Sequence, residues 1–97
     1  MEKLSFDYPA SDTVPHRAHV GVVGSADLEI LLEPSGDRKA HVTIRTSVEG
    51  FGNTWKAVLD RFFERYQCAA AIEINDFGAT PGTVALRLEQ AAEVSRS

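Results

Sequence analysis

The stretch WKAVLDRFFERYQCAAAIEIN, residues 55–75, contains two different hydrophobic periods. As far as Tyr66, the large apolar side chains recur at alternating intervals of three and one, which places them on one face of an α-helix. From Ala69 the period changes to two, with Ile72 and Ile74 on the same side, which is typical of a β-strand. The stretch therefore predicts a helix that is followed by a strand.

Three further strands are predicted before this helix. They cover residues 17–23, 27–33 and 40–47, and each alternates apolar with polar side chains. Turn-forming residues at 24–27 and 34–37 separate them. Because such short turns usually join neighbouring strands, the three strands are expected to form an antiparallel meander.

The last element is ambiguous, since residues 83–94 fit both a strand and one face of a helix. Their number and their helix-forming side chains favour a helix, with Thr80 as the cap and Pro81 as the first residue. The other helix is expected to be capped by Asn53 or Thr54. The predicted fold class is α+β: a two-layer fold in the order βββαβα, with a four-stranded mixed sheet and two helices on one face.

The length of 97 residues fits a single domain, which we expect to cover residues 1–97. Residues 1–16 are expected to form an extended N-terminal arm, because Pro9 and Pro15 restrict their neighbours to extended conformations. A short edge strand is also possible in this arm, because apolar side chains alternate at Leu4, Phe6 and Tyr8.

The composition argues against several classes of partner. Ten basic against fourteen acidic residues give a net charge of −4, so neither nucleic acid nor a membrane surface is an expected partner. No apolar run approaches the roughly 20 residues of a spanning helix, and residues 1–12 carry charges where a signal peptide would have its apolar core. The single cysteine, Cys68, cannot form an internal disulfide, which favours the cytoplasm.

The motifs that suggest catalysis are weak. Asp76-Phe77-Gly78 matches the metal-binding triplet of protein kinases, but no other kinase motif accompanies it. We therefore expect a turn that Phe77 anchors and in which Gly78 takes a positive φ. The three histidines lack the spacing of a metal site, and Cys68 is expected to be a small buried group rather than a nucleophile.

The predicted strand directions bring three connections to one rim of the sheet. The turn around Ser25, residues 46–54 and residues 76–81 should all lie there, and residues 34–39 should lie at the opposite rim. Loops that a rigid scaffold presents together commonly carry function. We therefore expect the functional edge of the domain at the first rim.

Around Ser25 the sequence resembles a known protein family. VGVVGSADLEILLEP at 20–34, TSVEG at 46–50 and IEINDFGATPGTVALRLEQA at 72–91 closely resemble the acyl-carrier (delta) subunit of biotin-independent malonate decarboxylase. The resemblance covers about residues 2–94. It is specific because GSADLE at 24–29, matched at all positions but Ala26, occurs together with DFGATPG at 76–82. A weaker likeness extends to the gamma subunit of citrate lyase, whereas the Asp-Ser-Leu triplet of four-helix acyl carrier proteins does not occur here.

The resemblance implies that Ser25 carries phosphoribosyl-dephospho-coenzyme A through a phosphodiester bond, attached by a separate holo-carrier synthase. Gly24 would keep the serine accessible, and Asp27 would either close the turn or be recognised by the synthase. The resemblance also implies that acyl transferase and decarboxylase subunits act on acetyl and malonyl thioesters of this group. The chain itself would be a non-catalytic carrier.

Three other functions compete with this hypothesis. The same carrier role in citrate lyase is the nearest, although the DFGATPG segment favours malonate. The second is a protein-interaction adaptor without a prosthetic group. The third is a small hydrolase that uses Cys68 or Ser25 as its nucleophile. The segment Thr80-Pro81-Gly82 could also offer helix amides to a cofactor phosphate, although simple capping is the preferred role.

Overall fold

The computed structural model describes residues 1–21 and 28–96. In these residues it contains six strands and two helices: β1 (Glu2–Pro9), β2 (Asp12–Thr13), β3 (Ala18–Val20), β4 (Leu28–Pro34), β5 (Lys39–Thr46), α1 (Gly52–Arg65), β6 (Cys68–Asp76) and α2 (Pro81–Arg96). The predicted α+β class with two helices is confirmed, and the ambiguous segment 83–94 is helical. The predicted strand number of four is too low, because β1 and the short β2 also pair.

The strands lie in the order β1-β5-β6-β4-β3, with β2 parallel to the start of β6. β3 and β4 pair antiparallel, as the hairpin prediction requires. The predicted meander is wrong, because β6 lies between β4 and β5, antiparallel to the first and parallel to the second. The sheet is therefore mixed, and the last strand in sequence is its central strand.

The connection between β4 and β5 runs past the start of β6 instead of forming a hairpin. The amide of Ser35 donates to the carbonyl of Ala69 at 3.0 Å, and the carbonyl of Arg38 accepts from Ala10 at 3.0 Å. Arg38 takes a positive φ of 57° in this connection. Three consecutive alanines, residues 69–71, stand at this end of β6, where small side chains leave room for the crossing chain. Turn residues alone cannot distinguish this path from a hairpin.

The N-terminal residues form an edge strand of the sheet. β1 pairs with β5 from Glu2 opposite Thr46 to Pro9 opposite Lys39. The ring of Tyr8 stacks on Phe63 of α1 with centroids 4.4 Å apart, and its hydroxyl donates to Asp60 at 2.7 Å. These contacts tie the edge strand to the helix layer.

Both helices cover the same face of the sheet. This face supplies the apolar core, whose largest fully buried side chains on the strands are Leu28, Ile30, Leu32, Val42, Ile44, Ile72 and Ile74. The helices contribute Trp55, Leu59, Phe62, Phe63, Val84, Leu88, Ala91 and Ala92. The opposite face carries ion pairs, among them Arg17–Glu33 at 2.8 Å and Arg45–Glu73. The prediction of two helices on one face is confirmed.

The two helices begin differently. The amide of Thr83 donates to Oγ1 of Thr80 at 3.2 Å, so Thr80 caps α2 as predicted. α1 begins after Phe51 and has no side-chain cap, and its first turn is closed by the amide of Trp55 on the carbonyl of Phe51 at 2.9 Å. The prediction of Asn53 or Thr54 as the cap is wrong, because both lie inside the helix. Neither described helix has the length and hydropathy to span a membrane.

His41 is held between two carboxylates on the exposed sheet face. One ring nitrogen lies 2.6 Å from Asp37 Oδ2 and the other 2.8 Å from Asp7 Oδ1. The hydrogen bonds to Asp37 and then to Asp7 raise the pKa of His41 above its ordinary value, and the pKa of Asp37 falls to about 2, chiefly through its hydrogen bond from Ser35. The folded state therefore binds the histidine proton more tightly than the unfolded state.

We expect His41→Gln to lower stability in a pH-dependent way. The histidine contributes its full stabilisation below the unfolded-state pKa of about 6.5, and this contribution is lost as pH rises through the higher folded-state pKa. The melting-temperature difference between wild type and His41→Gln should therefore shrink as pH increases, when both are measured by circular dichroism. His16→Gln, a change outside this cluster, is the control. A difference that stays constant across the pH range would contradict this account.

Candidate functional site

The residues predicted to carry the function, Gly24, Ser25 and Asp27, lie outside the residues that the structure describes. Gly21 and Leu28 are the described residues on either side of this segment. Since Ser25 precedes Leu28 by three residues, covalent connectivity alone keeps their Cα atoms within about 11 Å of each other. Leu28 and its neighbours are therefore the described residues within reach of the candidate site.

Gly21 closes the base of this segment. Its φ is +95°, in the region that side chains other than glycine rarely adopt. A Cβ at this position would lie 2.3 Å from the carbonyl oxygen of Leu28, a backbone atom that cannot move aside freely. Gly21 lies inside the predicted strand 17–23, and its close approach to Leu28 was not predicted. An isolated glycine inside a strand pattern is nevertheless a signal for close backbone approach.

The ends of three strands meet beside this segment. Leu28 at the start of β4 pairs with Asp76 at the end of β6, and Asp76 also pairs with Thr46 at the end of β5. Pro34, at the other end of β4, pairs with Ala70. The connections after β5 and β6 therefore leave the sheet at one rim, as predicted, and the β4–β5 connection lies at the opposite rim. The predicted turn around Ser25 lies outside the described residues.

Asp76 holds the connections of this rim together. Its side chain is 4% exposed and accepts hydrogen bonds from the Thr46 hydroxyl at 2.8 Å, the Gly78 amide at 3.2 Å and the Ala79 amide at 2.9 Å. The Thr46 hydroxyl oxygen in turn accepts from the amide of Val48 at 3.1 Å. One carboxylate thus fixes both the start of the connection to α1 and the turn that leads to α2.

The turn after β6 corrects one prediction and confirms another. Gly78 takes a φ of +116°, as expected. Phe77 is 56% exposed, so the expectation that it anchors the turn is wrong, and Asp76 anchors the turn instead. An aspartate whose carboxylate bonds the amide two residues later is a known turn signal, and the Asp-Phe-Gly triplet contains it.

An apolar cavity of about 320 Å³ opens at this rim. It lies between the N-terminal ends of α1 and α2 and borders both Thr46 and Asp76. Its apolar lining includes Val48, Phe51, Trp55, Val58, Ala79 and Val84. Trp55 is the only tryptophan of the chain, and Phe51 is half exposed. The helical period places Trp55 on the apolar face of α1 and gives no indication of a cavity beside it.

Metal binding and a cysteine nucleophile can both be checked in the described residues. In residues 1–21 and 28–96, no group of three or more histidine, cysteine, aspartate or glutamate side chains is placed so that it could hold a metal ion. Cys68 is fully buried, and burial raises the pKa of its thiol, which disfavours the reactive thiolate. The expectation that Cys68 is a small buried group is confirmed.

Comparison with known proteins decides the family. Residues 15–95 match the family model described as malonate decarboxylase delta subunit (MdcD). The chain belongs to this family. A malonate decarboxylase acyl carrier protein of Pseudomonas savastanoi pv. phaseolicola is 51% identical over 94 residues, which cover 96% of this chain and 95% of that protein. One of Azotobacter vinelandii is 48% identical over the same coverage.

A chain in a solved structure has the same fold as this protein. It shares 48% identity with this chain and superimposes with a TM-score of 0.89, covering 97% of this chain and 98% of the other. That chain comes from a crystal structure of a Pseudomonas malonate decarboxylase hetero-tetramer in complex with malonate. The strands and helices described above are therefore arranged as in that chain.

Gly21→Ala should destabilise the protein strongly. The added Cβ meets the Leu28 carbonyl and the backbone must leave its positive φ, so the free energy of unfolding should fall by at least about 2 kcal/mol. Urea denaturation measures this change. Gly36→Ala is the matched control, because a Cβ at Gly36 meets no atom within 4 Å. Equal stabilities of the two variants would contradict the proposed close approach.

Asp76→Ala should lower the free energy of unfolding by about 3 kcal/mol, since it leaves two amides and a buried hydroxyl without their carboxylate acceptor. Asp76→Asn keeps one oxygen for the amides of Gly78 and Ala79 and should cost about 1 kcal/mol. Chemical denaturation of both variants tests the ranking. An equal loss in both would mean that the charge, and not the hydrogen-bond geometry, holds the turn.

Proposed function

We propose that this chain is the acyl carrier subunit of a malonate decarboxylase. In this proposal it carries acetyl and malonyl thioesters on a phosphoribosyl-dephospho-coenzyme A group attached to Ser25. The observation that carries the proposal is the family match over residues 15–95. Relatives named malonate decarboxylase acyl carrier protein favour malonate over citrate as the substrate of the complex.

The local structure supports Ser25 as the attachment residue. Ser25 lies between Gly21 and Leu28 in the chain, and the backbones of these two residues are in close contact. The small neighbours Gly24 and Ala26 favour access by a modifying enzyme with a bulky nucleotide-like donor. Asp27 is proposed to close the turn or to contact the synthase. No base on this chain is required, because the synthase activates the hydroxyl.

The rim also suits the prosthetic group chemically. When bound, the group supplies a thiol on a long arm, which holds the acyl unit as a thioester. Thr46, Trp55 and Ala79 border a mostly apolar cavity next to the segment, so part of such an arm can be held against the protein. Tethering replaces repeated diffusion between partner sites with a short movement at high effective concentration.

A carrier that does not itself catalyse modification, transfer or decarboxylation needs partners for these steps. The proposed carrier needs a holo-carrier synthase for modification, an acyl transferase subunit for exchange and decarboxylase subunits for release of carbon dioxide. The related structure is of a hetero-tetramer with malonate, which supports assembly with other subunits. Burial of Cys68 supports a carrier without its own chemistry. A cytoplasmic location stays an expectation.

Acyl loading of the chain tests the proposal. The complex should be produced together with its synthase, acetylated at the arm thiol with acetic anhydride, and then incubated with malonate labelled at carbon 2, which exchanges with the acetyl group as acetate leaves. We expect label on this chain, and neutral hydroxylamine should release it, because hydroxylamine cleaves thioesters. The Ser25→Ala variant should lose the label completely, since it lacks the attachment oxygen.

Ser47→Ala is the matched control for this experiment. Ser47 is an exposed serine at the same rim, and its amide donates to the Asp76 carbonyl at 3.0 Å. The Ser47→Ala chain should acquire as much label as the wild type. Label that persists on Ser25→Ala, or that resists hydroxylamine on the wild type, would contradict the proposed function.

A further inference from the structure

We propose that the rim cavity, the apolar cavity between the N-terminal ends of α1 and α2, shelters the thioester end of the arm between visits to partner subunits. This inference rests on the proposed attachment at Ser25. It assigns a second role to the chain: besides presenting the arm, it withdraws the acyl group from water. Trp55, Ala79 and Val84 are the residues that would contact the sheltered group.

The position of the rim cavity favours the arm as its occupant. Asp76 lines the cavity and pairs directly with Leu28, the first described residue after Ser25 in the chain. Ser25 lies within about 11 Å of Leu28 by connectivity. An arm anchored there therefore starts beside the cavity.

The lining of the rim cavity fits the acyl end of the arm. Val48, Phe51, Val58 and Val84 supply apolar surface, and the buried polar atoms of Thr46 and Asp76 already have protein partners. An acetyl thioester can therefore enter the cavity without competing for these hydrogen bonds. The volume of about 320 Å³ lies at the lower end of known small-molecule sites, so the cavity can hold a short chain but not a folded partner.

Two other cavities among the described residues are less suitable for the acyl group. One of about 530 Å³ lies on the exposed sheet face among charged side chains, including the ion pair Arg17–Glu33. Another of about 530 Å³ lies between α1 and α2 beside the ion pair Arg65–Glu89. Apolar acyl groups gain little from such surroundings. The rim cavity alone among these three combines an apolar lining with proximity to Leu28.

Weak intrinsic affinity is sufficient for this role. A flexible tether that spans the distance gives an effective concentration of about 1 mM, so a site with a dissociation constant of about 0.1 mM is already filled for about nine-tenths of the time. Such weak binding also lets partner subunits withdraw the arm without a large energetic cost. Exclusion of water from the thioester would protect it against hydrolysis between transfers.

Fluorescence of Trp55 reports occupation of the rim cavity directly. Trp55 is the only tryptophan of the chain and borders the cavity, so no substitution is needed. We expect the emission spectrum of the acetylated holo protein to shift relative to that of the apo protein, because the acyl group contacts the edge of the buried ring that borders the cavity. Mass measurement of each sample establishes how much chain carries the group.

Cleavage of the acetyl thioester by neutral hydroxylamine gives a second readout. Occupation of the cavity for about nine-tenths of the time slows the reaction about tenfold relative to free acetyl-coenzyme A. Ala79→Leu, which fills the cavity, should restore the fast rate. Ala85→Leu is the matched control, because Ala85 lies on an exposed position of α2 outside this cavity and should keep the slow rate. Cys68 is buried, and apo protein serves as the blank.

The outcomes separate the two proposals. If the chain carries no adduct on Ser25 in the presence of its synthase, the proposed function fails and the sheltering role fails with it. If the adduct is present but the Trp55 spectrum is unchanged and the thioester is protected less than about twofold, the sheltering role alone is overturned. A spectral shift together with protection that Ala79→Leu abolishes and Ala85→Leu retains supports it.

Discussion

The three hydrogen bonds accepted by Asp76 are the constraint on which the rim depends. The carboxylate is buried at the end of the central strand and binds the Thr46 hydroxyl and the amides of Gly78 and Ala79. Because a buried carboxylate without partners is very unfavourable, this arrangement strongly favours one geometry for the two connections. The rim cavity, the starts of both helices and the flank of the Ser25 segment are all built around it.

Much of the fold follows from the sequence pattern. The helix stripe at residues 55–66, the strand period after Ala69 and the cap at Thr80 predicted elements that the structure confirms. Their directions were sufficient to predict the shared rim, because direction depends only on the order of elements. These are local signals, and each is fixed by side chains close together in the chain.

The incorrect predictions concern interactions between distant parts of the chain. The place of β6 between β4 and β5 depends on the connection that runs past Ala69, which no local period encodes. Phe77 was predicted to anchor the turn because it is apolar, but the neighbouring carboxylate of Asp76 anchors it through hydrogen bonds from the amides of Gly78 and Ala79. The cavity next to Trp55 arises where two helix ends fail to close completely, and the composition of either helix does not indicate this. Gly24, Ser25 and Asp27 stay predictions that the resemblance supplied.

The central claim is that Ser25 is the covalent anchor, and mass spectrometric location of the adduct tests it most directly. Trypsin should release residues 18–38, a peptide that contains both Ser25 and Ser35. Ser35 follows the end of β4, and its hydroxyl donates to Asp37 at 2.5 Å. Protein purified from cells that contain the synthase should carry the phosphodiester-linked group on Ser25 of this peptide. A group on Ser35, on another peptide, or absent from such protein would contradict the account.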